Sequence, residues 1–338
     1  DPACCLKNRI LTANIIFSLL VLAAINLNPK IGFFLSETTF TYCNMKKILI
    51  TLLFAYCHSG CTSVLEKVES EKSTSETFIQ VLGVAQDAGY PQAGCQKTCC
   101  QKQYAGHISA KMTSCIAIVD RVSKTYWMVD ATPDFKKQLQ VLQFDFPDFS
   151  FGGIFLTHAH VGHYTGLIHL GREIIGASEV PVYAMPRMAY FLKTNGPWSQ
   201  LVNLKNIDIV PIQSDSTIYL NDRLSIIPIK VPHRDEYSET VGYKIIGEEG
   251  SLLFIPDIDK WDKWDRSIVT EIQNVDHALL DGSFYQNGEI PGRDMALIPH
   301  PFIEESLQLF KAMGDYDRGK VQFIHFNHTN PVMDPRSS

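Results

Sequence analysis

The sequence predicts an α/β domain over residues 77–338, preceded by a non-globular segment over 1–76. Two observations carry this reading. From Phe78 onward, short apolar runs of strand length alternate with stretches whose apolar residues recur at helical spacing. Before that point, residues 62–77 are mainly Ser, Thr, Glu, Lys and Val without an apolar period, the composition of a solvated tether.

Runs 78–84, 115–119 and 126–129 read as buried strands, and 135–142 reads as an amphipathic helix. After a histidine-rich segment, 167–175 reads as helix, 180–184 as strand and 187–193 as a short helix. Strand-like runs follow at 207–212, 218–220, 224–231, 240–246 and 252–255, then a late helix at 304–313 and a final strand at 321–326. There is no repeat at a solenoid period and no low-complexity tract.

At 338 residues, 45% hydrophobic and 20% charged, the chain can bury a sizeable core. A formal net charge of -6 offers no basic footprint for nucleic acid, so the expected partner is a small-molecule substrate.

The N-terminal segment reads as a membrane address. Residues 10–27 are apolar and uncharged behind Lys7 and Arg9, long enough for a spanning helix or signal anchor. A second start is visible at Met45, with Lys46 and Lys47, an apolar run at 48–56, and Ser59-Gly60-Cys61. This resembles a bacterial lipoprotein signal with Cys61 as the lipidated residue, although His58 departs from the aliphatic residue usual there. The expectation is that residues 1–44 lie upstream of the true start and that the mature protein begins at Cys61. A cleaved signal or an uncleaved anchor are the alternatives, and all point to export, to the periplasm or a membrane surface.

Thr157-His158-Ala159-His160-Val161-Gly162-His163 follows the apolar run Ile154-Phe155-Leu156. Histidines two apart on an extended segment project to one side, and a third can swing round as the chain enters a helix. Neutral imidazole is a good ligand for zinc and other first-row metals, so one loop can supply most of a coordination shell. The alternative, three solvated histidines, fits poorly with a buried strand leading in and with Gly162 and Gly166 shaping the turn. Downstream, His233, Asp257 and His325 each stand at or near the end of a strand-like run.

This ordered set resembles the metallo-β-lactamase superfamily, whose signature is H-x-H-x-D-H followed by a distant His, an Asp and a His. The resemblance spans about 78–331 and implies a four-layer αββα sandwich with metal at one edge. Within the superfamily, Val-Leu-Gly-Val-Ala-Gln-Asp-Ala-Gly-Tyr-Pro-Gln at 81–92, a nearby cysteine cluster and His-Phe-Asn-His-Thr-Asn-Pro at 325–331 are similar to the pyrroloquinoline quinone biosynthesis protein B group. Members of that group continue past the Asn-Pro, so the resemblance implies a C-terminus cut short.

By the same resemblance, His158, His160 and His233 would bind a first metal, and His163, Asp257 and His325 a second, with Asp257 able to bridge. Gly162 departs from the pattern, because the superfamily has an aspartate there that ligates the second metal and orients water. The resemblance therefore leaves one or two zinc ions open, with the second site deficient or completed by another residue such as His328; iron or manganese also suit the shell.

His300 and His328 are candidate catalytic acids by residue type. Asp87, Asp130 and Asp281 also end apolar runs, and for Asp130 and Asp281 hydrogen bonding to loop amides or imidazoles is expected rather than ligation. Cys95, Cys99 and Cys100 form a separate candidate zinc site with Cys115 or His107 as fourth ligand, or a disulfide. Trp261 and Trp264 read as helix packing. Three function classes follow: a metal-dependent hydrolase acting on a phosphodiester, ester or lactam-like substrate, an iron-dependent oxidoreductase, and a non-catalytic binder on the same fold.

Overall fold

The computed structural model describes residues 75–334. Period-2 burial on both faces of the strands is what builds it. Ile116 and Ile118 point into one apolar cluster while Cys115, Ala117 and Val119 of the same strand point into another. Leu252 and Phe254 likewise oppose Leu253 and Ile255. A strand buried on both sides needs a layer above and below it.

The first sheet runs β1 (Thr77–Gly83), β2 (Cys115–Asp120), β3 (Thr125–Val129), β4 (Ser150–Phe155), β5 (Val180–Ala184) and β6 (Ile207–Pro211) in chain order. The second runs β12 (Val321–Ile324), β11 (His277–Asp281), β10 (Gly250–Ile255), β9 (Val241–Gly247), β8 (Ser225–Lys230) and β7 (Ile218–Tyr219). Side chains from both sheets, among them Trp127, Phe155, Tyr243 and Phe254, form the cluster between them. The outer face of the first sheet is covered from α2 (Phe135–Asp145), α4 (Pro186–Thr194) and α5 (Trp198–Asn203), and that of the second from α6 (Ile268–Gln273) and Phe310 of α7 (Ile303–Phe310). The arrangement is the αββα sandwich expected from the resemblance. Short helices α1 (Thr98–Tyr104), α3 (Val161–Tyr164) and α8 (Asp315–Arg318) complete the set.

Several expectations are corrected. The helix expected over 167–175 is a 3-10 helix, Thr165–Leu170, that ends at the extended residue Gly171. The last strand stops at Ile324 because His325 takes a left-handed conformation, φ 67°, which no strand continues through. β4 begins four residues before its visible apolar run, since Gly152 and Gly153 carry no hydrophobic signal. A Cβ on Gly152 would lie 2.3 Å from Trp127 Nε1, so only glycine passes under the indole. The features assigned to residues 1–74, including Met45 and Cys61, lie outside the described residues. Among the described residues no helix is long and apolar enough to cross a membrane.

The start of the histidine loop is pinned by packing. Phe155 stacks on Tyr183 with ring centroids 4.0 Å apart and meets Tyr243 edge-on, while the buried Tyr243 hydroxyl donates to Leu156 O at 2.5 Å. Burial of an aromatic ring of this size contributes roughly 1.5–3 kcal/mol.

Candidate metal centre

Strand direction brings the donors together. β1 and β3 are both antiparallel to β2, and β3 and β4 are parallel, so those three strands end at one edge of their sheet. β8 and β10 are both antiparallel to β9, with β11 and β12 parallel to β10. Asp87, Asp130 and the 157–163 loop leave from the first edge; His233, Asp257, Asp281 and His325 leave from the second.

Three donor groups share Asp257, two of them built around the histidine loop and the third made of Asp257, Asp281 and His300. The first is His158, His160, His233 and Asp257; the second is Asp87, His163, Asp257 and His325. His158 Nε2 lies 2.9 Å from His160 Nδ1 and 3.4 Å from Asp257 Oδ2, and His233 Nε2 lies 3.7 Å from Asp257 Oδ1. In the second group, His163 Nε2 is 3.0 Å from both Asp87 Oδ1 and Asp257 Oδ2. His325 Nε2 is 3.4 Å and 3.2 Å from the same two oxygens. Ligands about 2.0–2.1 Å from a tetrahedral ion stand about 3.3 Å from one another, close to this spacing.

Hydrogen bonds behind the imidazoles select which nitrogen faces inward. His163 Nδ1 donates to Asp130 Oδ2 at 2.7 Å, His158 Nδ1 lies 2.9 Å from Thr157 Oγ1, whose own proton goes to Asp130, and His325 Nδ1 lies 2.9 Å from Ser283 Oγ, which leaves each Nε2 turned to the centre. His160 is reversed: Nε2 meets Glu236 at 3.1 Å and Nδ1 faces in. Asp130 also accepts from the Thr157 amide at 2.8 Å, and Asp281 from the Ile258 and Ser283 amides, so these two carboxylates brace the loops.

The donor set fits a cation. Asp257 is buried, yet neither of its oxygens takes a well-directed hydrogen bond, and both nitrogens of His233, whose side chain is 1% exposed, and Nε2 of His325 are equally without one. Such groups cost several kcal/mol each if nothing satisfies them. Burial favours the neutral forms of His158, held well below the usual imidazole range, and of His233, pushed down to about 4. Neutral imidazole is the form a metal needs. For Asp257, burial works against ionisation, but the surrounding His325 and His233 outweigh it and hold the carboxyl well below its usual range.

His300 lies against this centre, its Nδ1 2.7 Å from Asp281 Oδ2 and 3.4 Å from Asp257 Oδ1. Burial lowers its proton affinity, but Asp281 overcomes that and raises the pKa to about 9. His328 is elsewhere. Its Nδ1 stands 3.5 Å from Cys95 Sγ, 3.5 Å from Cys99 Sγ and 3.4 Å from Cys100 Sγ. A tetrahedral zinc with Zn–S about 2.3 Å and Zn–N about 2.05 Å requires S···N near 3.6 Å. The fourth group beside the thiols is thus His328, in place of the expected Cys115 or His107. Cys115 is buried in β2 with its thiol on Asp130 O, and the described cysteines carry no disulfide. Backbone amides of Gln92 and Lys97 point at Cys100 and Cys95 Sγ, each at 3.4 Å.

Asp87 was legible only as an acid after an apolar run. What places it is Gly162: a Cβ there would lie 2.3 Å from Asp87 Oδ1 and 2.5 Å from Asp87 Cα. The absence of a side chain at position 162 lets a carboxylate from the β1 loop reach His163.

Residues 125–326, more than half of the chain, match the family profile described as a beta-lactamase superfamily domain. The chain belongs to the β-lactamase superfamily. Within that superfamily it is similar to coenzyme PQQ synthesis protein B. It is 26% identical over 292 residues to the protein from Acinetobacter baylyi, covering 77% of this chain and 92% of that one. It is also 26% identical over 293 residues to the protein from Klebsiella pneumoniae, covering 77% and 91%. Zn(2+)-bound PqqB from Methylobacterium extorquens shares the fold with a TM-score of 0.64 at 22% identity, covering 77% of this chain and 92% of its own. A diphosphatase from the PhnP family shares it with a TM-score of 0.54 at 18% identity, with the same coverage.

Proposed function

We propose that this superfamily member is a metal-dependent hydrolase that holds zinc between His158, His160, His233, Asp257, His163 and His325 and acts on a small phosphodiester, ester or lactam-like substrate. The observation that carries the reading is Asp257, a buried carboxylate with no hydrogen-bond partner, set within 3.7 Å of imidazole nitrogens from both histidine-loop groups. A cation bound there supplies Lewis acidity and lowers the pKa of water to about 7. The chain's own contribution is orientation. Asp130, Ser283 and Thr157 fix the imidazoles, and Asp281 holds His300 beside the centre as a proton donor to the leaving group.

A second reading is an iron-dependent oxidoreductase, because the same imidazole and carboxylate donors also suit iron. Elemental analysis of purified protein, coupled to a panel of phosphodiester, ester and lactam substrates, separates the two. Zinc with turnover is expected; iron as the resident metal with no hydrolysis sinks the hydrolase reading, and no bound metal leaves a binder. The cysteine cluster with His328 is proposed as a structural zinc site. From the sequence around Met45 to Cys61 we also propose export and lipid attachment at Cys61. Mass spectrometry of the mature N-terminus tests this, and an intact Met45 refutes it.

A further inference from the structure

Gly162 and Asp87 are 75 positions apart and share one volume. At Gly162 the ideal Cβ position is 2.3 Å from Asp87 Oδ1, 2.5 Å from its Cα and 2.8 Å from its Cγ, so the two residues cannot both carry side chains as they stand. The carboxylate in that space is not idle. Asp87 Oδ1 lies 3.0 Å from His163 Nε2 and 3.4 Å from His325 Nε2, and the loop bearing it is fixed by two backbone bonds to the His325 loop. Gln86 N donates to Phe326 O, and Phe326 N to Val84 O, both at 2.8 Å.

We infer that Asp87 is a ligand of the second cation, and that it supplies from the β1 loop the carboxylate that the 157–163 loop lacks at Gly162. The second donor group is then complete, with two carboxylates and two imidazoles around one point, all four atoms mutually within 4.8 Å. On the loop itself an aspartate would have to come from a residue whose backbone is fixed by the His158–His163 turn; from β1 it arrives on a separately anchored segment. Glycine at 162 is the condition for this, since even an alanine methyl would press on Asp87 Cα.

This rests on the metal-centre reading above, and zinc counting without any substrate separates the two. Purified full-length protein is loaded with zinc, dialysed and analysed for bound ions. The wild-type protein is expected to retain three, one at the cysteines and two at the histidine centre. Asp87→Asn, which keeps the volume, is expected to retain two and to bind the second ion about 100-fold more weakly or worse, because loss of mere supporting contacts already costs 10–100-fold. Gly162→Ala adds no ligand but displaces Asp87, and is expected to lose the same ion. Exchange of the two residues, Asp87→Gly with Gly162→Asp, is expected to return the count to three. An unfolded variant loses all ions, so the loss of one is diagnostic. Three ions with unweakened affinity in both Asp87→Asn and Gly162→Ala overturn the assignment of Asp87. A wild-type count of one, at the cysteines only, overturns the metal-centre reading itself.

Discussion

Asp130 and His163, 33 positions apart, meet through a 2.7 Å hydrogen bond from His163 Nδ1 to Asp130 Oδ2, with neither side chain exposed to solvent. The other carboxylate oxygen takes the Thr157 amide and hydroxyl, so one buried acid fixes both ends of the histidine loop. It does so from a left-handed backbone, φ 71°, at the end of β3. Asp130→Asn keeps the shape but presents an amide to the imidazole. The expected outcome is a 10–100-fold loss of zinc affinity at the histidine centre with the cysteine-bound ion retained, read by calorimetry. Unchanged affinity would remove Asp130 from the account.

Cys99→Ser combined with Cys100→Ser tests the thiol site. One zinc should be lost and the other ions kept, with a fall in stability. A site held at a thousand times its Kd contributes about 4 kcal/mol, which in a domain of this size is on the order of 10 °C in Tm. Identical melting of the variant and the wild-type protein in the presence and absence of chelator refutes a structural ion there.

The two kinds of site should differ in their response to pH. Burial holds the Cys100 thiol up to about 12 and raises Cys99 as well, so both carry protons at neutral pH until a metal displaces them. Burial instead keeps His158 and His233 unprotonated, His233 down to about 4, so zinc has little to displace from them above pH 6. Affinity at the cysteines should therefore rise by roughly tenfold per pH unit for each thiol proton released between pH 6 and 8. His158 and His233 should add little to that slope, whereas His163, whose proton affinity burial lowers but Asp130 raises well above the usual imidazole range, should release a proton of its own. Proton release measured in buffers of different ionisation enthalpy, with and without Cys99→Ser and Cys100→Ser, checks it; equal slopes contradict the assignment.

His300→Ala removes the candidate proton donor without touching the donors of the two histidine-loop groups. On any substrate that the protein turns over, kcat should fall by about 10²–10⁴ while KM and zinc content stay near wild-type values. A fall in zinc content instead would place His300 among the ligands, as its 3.4 Å approach to Asp257 allows.

The strands that flank the histidine loop were readable because apolar residues of strand length appear wherever a sheet is buried on both faces. Their ends could be matched to His158, His160, His163, His233, Asp257 and His325 by residue type and order. β4 was visible only at its end and β11 was not recognised as a strand at all, since glycine in one and a run of only three apolar residues, Ala278 to Leu280, in the other weaken the signal. His328 was misplaced for a different reason. It follows His325 by only three residues, but the left-handed turn at His325 ends the strand and His328 lies at the cysteines instead.

By itself, the sequence determined the α/β class, the histidine loop behind a buried strand and the anomaly at Gly162, because these are local properties of pattern and residue type. Only the tertiary structure decided what the anomaly means. Contacts across 75 positions depend on strand direction and loop packing, and these bring Asp87 into the volume that Gly162 leaves open. The same physics joins His328 to three thiols more than 200 positions away.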